Sequence, residues 1–116
     1  MEALSEAKLL RVFIGESDKV RHVPLYEAIV REAKAAGLAG ATAWRGLMGF
    51  GPSTRIRTAK ILDLSADLPV VVEITDEEAK IAAFLPVVDR LFAESRSGGL
   101  VTLEKVQIIR YRHGER

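Results

Sequence analysis

The 116-residue chain contains no cysteine. That excludes a disulfide framework, a thiolate zinc site and a cysteine nucleophile, and it removes any pointer to an oxidising compartment. An excess of one charge sign is also lacking: 17 basic side chains stand against 16 acidic ones, for a formal net charge of +1. A balance so near neutrality exerts no global pull on nucleic acid or anionic lipid, so any anion recognition must be local. Nowhere do apolar residues run on for the roughly 18 positions that a membrane-spanning helix needs. The N-terminus "MEALSEAKLLRVFIG" has no cationic segment leading into a long apolar run, and the expected location is cytoplasmic.

The two histidines, His22 and His113, lie far apart, and neither has a second histidine at ligand spacing, so no metal site is expected. No Ser/His/Asp motif and no carboxylate pair that could be set across a cleft is recognisable either, so no catalytic residue is assigned.

What is present is a well-patterned chain, 48% apolar and 28% charged, which fits one globular domain over residues 1–116. "KLLRVFIG" reads as a strand stopped by Gly15. After the polar "ESDKVRHV", Pro24 opens a helical pattern of Leu25, Ile29, Ala33 and Ala36 that Gly37 should cap. "ATAWRGLM" is a strand candidate weakened by Gly46, and "LPVVVEIT" is a stronger one. Thr75 and Glu78 form a capping-box pattern ahead of a second helix, whose apolar stripe is Ile81, Leu85, Val88 and Phe92. Pro86 inside that helix predicts a kink. "SRSGG" ends it, and "LVTLEKVQIIRYR" supplies a last strand.

The order strand, helix, strand, long loop, strand, helix, strand predicts an α+β ferredoxin-like βαββαβ sandwich, an antiparallel sheet with both helices on one face. Alternation then turns Leu10, Val12 and Ile14 toward the helices and Leu9 and Phe13 away from them, and Val71, Ile109 and Tyr111 join the outward set. An open face so apolar implies burial in a homo-oligomer.

The long loop opens with "RGLMGFGPSTRIRTAKI". Gly46, Gly49 and Gly51 allow close backbone approach and an anion nest, while Arg45, Arg55, Arg57 and Lys60 are donors suited to phosphate or carboxylate oxygens. The pattern reads as a site for a phosphorylated ligand, or equally as a surface loop with solvated arginines. Trp44 and Phe50 could stack on a base or pack in the sheet or at a subunit interface, and the alternating neighbours of Trp44 favour such packing for it. Glu16 and Asp18 in "GESDK" could reach a ribose hydroxyl or a magnesium ion, or simply form a polar turn.

These stretches carry a resemblance. Through "LRVFIGESDK", "PLYEAIVREAKAAGLAGATAWRGLMGFG", "RIRTAKILDLSADLPVVVEITDEE" and "GLVTLEKVQIIRY" the chain is identified as a member of the domain-of-unknown-function 190 family, which is similar to the nitrogen-regulatory PII signalling proteins. The resemblance implies a trimer whose inter-subunit clefts bind an adenine nucleotide, ADP, ATP or AMP, with or without magnesium. No cofactor is required by it. Gly49, Phe50 and Gly51 match the turn at the base of the PII T-loop, whose place is taken by about residues 49–67. Where PII proteins carry a Gly-Asp-Gly-Lys phosphate loop, this chain has "SRSGGLVTLEK", in which Gly98 and Gly99 keep the close approach but the lysine is missing, which tells against triphosphate binding.

The function expected is thus a regulatory protein with a ligand-responsive loop that meets a partner, for which the family's association with fluoride-channel components implies a membrane-transport or channel protein. Two other classes fit the same fold: an RNA-binding sheet, against which the neutral charge and the lack of an aromatic RNP-like strand weigh, and a small phosphate-handling enzyme. No nucleic-acid partner is expected.

Overall fold

The computed structural model describes residues 5–52, 55–58 and 67–115. Along the chain run β1 (Ser5–Gly15), α1 (Leu25–Ala35), β2 (Ala41–Arg45), β3 (Pro69–Asp76), α2 (Glu78–Ser95) and β4 (Leu100–Ile108). The strands form one antiparallel sheet in the spatial order β2-β3-β1-β4. This is the ferredoxin-like α+β sandwich that the order of elements predicts. Two short ribbons lie outside the sheet, Lys19–Val20 with Val23–Pro24 and Met48–Gly49 with Arg57–Thr58.

Strand alternation sets the core as expected. Leu10, Val12 and Ile14 from β1 and Val70, Val72 and Ile74 from β3 are buried in one cluster with Leu25 and Ile29 of α1 and Ile81, Phe84, Val88 and Leu91 of α2. The α2 stripe is therefore turned from the predicted one: Phe84 and Leu91 are central, while Leu85 and Phe92 pack at the margin. Positions three and seven apart also share a helix face, and the sheet selects between these two overlapping stripes. The helix runs on through Pro86.

Gly37 ends α1 as predicted, with φ at +75°. Its amide donates to the Lys34 carbonyl at 3.0 Å and the Leu38 amide to the Ala33 carbonyl at 3.1 Å, which satisfies two carbonyls the helix would otherwise orphan. Ala36 is the exposed cap residue and takes no part in the buried stripe.

The capping box does not form. Thr75 is still strand, paired with Leu9, and β3 continues to Asp76 opposite Lys8, so α2 begins too late for Thr75 to cap it. The buried Asp76 carboxylate joins the two layers there: Oδ1 accepts from the Glu77 amide at 2.7 Å and Oδ2 from the Ala39 amide at 2.9 Å.

The open face is less apolar than expected. Leu9, Phe13 and Val71 do lie on it, but Arg11 crosses its centre, donating from Nε to Glu73 Oε2 and from Nη1 to Glu104 Oε1, each at 2.8 Å. Trp44 is 57% exposed on this face, so it is not packed in the sheet, and its Nε1 donates to Glu73 Oε1 at 2.7 Å. The Arg11 and Trp44 hydrogen bonds hold the Glu73 carboxyl below its usual range, and Glu73 and then Glu104 raise the Arg11 guanidinium in turn. Ile109 and Tyr111 fall beyond the end of β4; Ile109 is exposed, and the Tyr111 hydroxyl donates to the Ala39 carbonyl at 2.8 Å.

Candidate functional site

Antiparallel pairing brings four distant segments to one end of the sheet. Gly15 at the end of β1 faces Pro69 at the start of β3, Arg45 at the end of β2 faces Val70, and Leu100 at the start of β4 faces Phe13. The loops beyond these ends enclose a cavity of about 560 Å³.

Most of the sequence-predicted residues meet in this cavity. Gly46, Gly49, Phe50, Gly51 and Arg57 line it from the loop, and Asp18, Gly98 and Gly99 line it from the other two turns. Arg45, Arg55 and Glu16 stand outside its lining, and Lys60 lies outside the described residues. Phe13, Met48, Pro52, Pro69, Val71 and Leu100 complete the wall and make it mainly apolar.

The glycines act by close approach. The Gly46 amide donates to the Pro69 carbonyl at 2.7 Å, and a Cβ there would stand 3.0 Å from Pro69 Cγ. Gly98 faces Pro52, and Gly99 is pressed against Phe92 and the Phe13 carbonyl.

The arginines are engaged with carboxylates. Arg57, the cation in the described lining, donates from Nε to Asp67 Oδ2 at 3.0 Å, and its guanidinium lies over Gly15. Arg55 Nη2 stands 3.9 Å from the same Asp67 oxygen. Arg45 is paired through Nη2 with Glu16 Oε2. Arg45 and Arg55 stay largely exposed beside these carboxylates, whereas the Arg57 side chain is mostly buried.

Glu16 and Asp18 are likewise committed. Glu16 bridges Arg45 and the Leu68 amide, which donates to Oε1 at 3.4 Å. Asp18 Oδ2 accepts from the Gly15 amide at 2.8 Å, closing the turn after β1, and the Asp18 carbonyl accepts from the Leu25 amide at 2.7 Å at the start of α1. Among the described residues no three His, Asp or Glu side chains are grouped to hold a metal ion.

Asp67 is the member of this site that the sequence pattern does not reveal. Its Oδ1 accepts from the Ser17 amide at 3.0 Å, so it ties the turn after β1 to the end of the long loop. Burial pushes its carboxyl up, but the Ser17 amide and hydroxyl and the Arg57 guanidinium outweigh that and leave it below its usual range. Fifty residues separate Asp67 from Ser17, and no local spacing signals such a contact. The apolar wall was legible only in part, through Phe13 and Val71 as outward-facing strand residues.

The DUF190 family model, described as "Uncharacterized ACR", matches residues 7–108. A UPF0166 protein of Aquifex aeolicus is 42% identical over 102 residues, 88% of this chain and 92% of that protein. A second UPF0166 protein, from Methanocaldococcus jannaschii, is 32% identical over 98 residues, 84% of this chain and 87% of that protein. Among solved structures, CPII from Thiomonas intermedia K12, a nitrogen regulatory PII-like protein bound to ADP, AMP and bicarbonate, has a TM-score of 0.70 at 18% identity, with 91% of each chain covered. A likeness at that identity establishes a shared fold.

Proposed function

Because this chain belongs to the DUF190 family and has the PII-like fold, we propose that it is a signalling or regulatory protein that binds an adenine nucleotide, or a similar phosphorylated small molecule, at the base of its long loop. The observation that carries this reading is the convergence of Gly49, Phe50, Gly51, Gly98 and Arg57 on one largely apolar cavity. A concave apolar site with a few convergent polar groups is the usual form of a small-molecule site. Phe50, 72% exposed, is free to stack on a base, and Arg57 offers terminal N–H donors to an anion. The complex of CPII with ADP and AMP supports the choice of ligand.

The site is completed in a homo-oligomer, a trimer, in which neighbouring subunits cover Phe13, Trp44 and Leu100 on the open face. The protein acts in the cytoplasm without catalysing a reaction. Ligand binds one state of the loop more tightly than the other, and the favoured state presents a surface that includes the exposed Leu47 and Ile56 to a partner protein of membrane transport.

Isothermal titration with ATP, ADP and AMP, with and without magnesium, tests this directly. Binding at about one ligand per chain that Arg57→Ala weakens at least tenfold supports the reading, and absence of heat from all three ligands defeats it. Light scattering reads the oligomer, and a monomer at micromolar concentration would remove the inter-subunit part.

A further inference from the structure

We propose that Asp18 is a specificity-determining residue of the cavity, and that its free carboxylate oxygen receives the ribose hydroxyls of the ligand. The inference rests on the nucleotide reading above and deepens it. It gives the ribose a place and makes the site one for ribonucleotides rather than for any phosphorylated small molecule.

Asp18 and Arg57 are the two polar side chains among the described residues that line the cavity, and glycine, proline and apolar side chains make up the rest. The side chains of the lining therefore offer one acceptor and one set of donors. Both are positioned at the end of β1. The Gly15 amide donates to Asp18 Oδ2 at 2.8 Å, and the Arg57 guanidinium lies over the same glycine.

The turn after β1 occupies all but one of the polar atoms of Asp18. Its amide donates to the Gly15 carbonyl at 3.2 Å, its carbonyl accepts from the Leu25 amide at 2.7 Å, and Oδ2 is taken by the Gly15 amide. Oδ1 remains: it has no hydrogen-bond or ion-pair partner among the described residues, and it is not sealed inside the protein. Three hydrogen bonds thus hold Asp18 in place before any ligand arrives, which lowers the cost of ordering it on binding.

A carboxylate oxygen only accepts, so the ligand must bring a donor to it. An adenine nucleotide carries two kinds, the ribose hydroxyls and the amino group of the base. The hydroxyls stand beside the phosphate, whereas the amino group lies at the far end of the molecule. Because Asp18 and Arg57 meet at Gly15, a phosphate on Arg57 brings the hydroxyls to Asp18. The base is then left to the apolar wall of Phe13, Met48, Phe50 and Leu100. Magnesium fits the same atom less well, because that ion demands octahedral coordination and a single free oxygen supplies one ligand. A site built to hydrogen-bond a hydroxyl rejects the analogue that lacks it, since the acceptor is left unpaired.

The test is titration of the whole chain with AMP, ADP and ATP and with their dideoxyribose counterparts, which lack both ribose hydroxyls, for wild type and Asp18→Ala. The expected result is that each ribonucleotide that binds does so at least about tenfold more tightly than its counterpart. Asp18→Ala should reduce that ratio to about threefold or less. Were Asp18 only to shape the turn, the variant would weaken both members of each pair alike, and an unchanged ratio overturns the inference. Equal binding of the two forms by wild type also overturns it and leaves the nucleotide reading standing. Silence from all three ribonucleotides overturns the nucleotide reading and this inference with it. Should Asp18→Ala lose the fold on thermal unfolding, Asp18→Asn carries the same comparison. It keeps an acceptor for the Gly15 amide and replaces a charge-assisted hydrogen bond with a neutral one, so the ratio must shrink there too.

Discussion

The Arg57 guanidinium lies so close over Gly15 that a Cβ on Gly15 would stand 2.5 Å from Arg57 Cζ and 2.7 Å from Nη1. Gly15 is the last residue of β1 and Arg57 belongs to the far side of the long loop. Only the missing side chain lets the loop fold back over the strand end, and Asp67 then fastens it there.

Gly15→Ala should therefore dislodge Arg57 without unfolding the protein. The contact is with the end of a flexible side chain, which can move away, so the stability cost should stay below about 1 kcal/mol. Nucleotide affinity should fall about tenfold as the guanidinium leaves its place. Thermal unfolding and titration on the same sample separate the two effects, and an unfolded variant would contradict the geometry.

Gly99→Ala should behave differently. Its Cβ would stand 2.6 Å from Phe92 Cε1 and 2.8 Å from the Phe13 carbonyl oxygen, and the carbonyl belongs to the central strand. The strand cannot yield as a side chain does, so a loss of about 1–3 kcal/mol is expected, as for other overpacked sites. Urea unfolding checks it.

Asp76→Ala removes the acceptor for two backbone amides, those of Ala39 and Glu77, at a position 1% exposed. Leaving buried donors unpaired costs about 1–3 kcal/mol. Hydrogen exchange should show the loss at Ala39 and Glu77 first.

Acid should erase the contribution of Asp67. Its carboxyl is held below the ordinary aspartate range, the net of burial opposed by Ser17 and Arg57. A depressed pKa gives stability that is fully present above the unfolded value of about 3.9 and is lost as pH falls through the lower folded value. The stability difference between wild type and Asp67→Asn should hold constant from neutral pH down to about 4 and shrink below it. Denaturant unfolding across that range measures it, and a difference that instead grew in acid would reverse the sign assigned here.

Where propensity and alternation act locally, they were legible in the residues. Branched residues in β1 and β3 made strands, and Gly37 stopped α1 because its φ suits glycine. The alternation of Leu10, Val12 and Ile14 against Leu9 and Phe13 assigned both faces of the sheet. The Gly-rich opening of the loop, Gly46, Gly49 and Gly51, lines the cavity, and glycine's lack of a side chain is legible because it is a property of the residue itself.

Long-range pairing was not legible. The Thr75/Glu78 capping pattern was correct as a pattern and wrong as a structure, because pairing with β1 carried the strand past Thr75 to Asp76. The arginines looked free because the carboxylates that neutralise them come from elsewhere in the chain, Glu16 for Arg45 at a separation of 29 residues and Asp67 for Arg57 at 10. The apolar face implied by Leu9, Phe13 and Val71 was divided by Arg11, whose partners Glu73 and Glu104 sit on two other strands. The sequence by itself determined the elements, their order and the strand side of the core. The tertiary structure alone decided which charges meet at the site, because sheet register and loop closure set those distances and no local spacing encodes them.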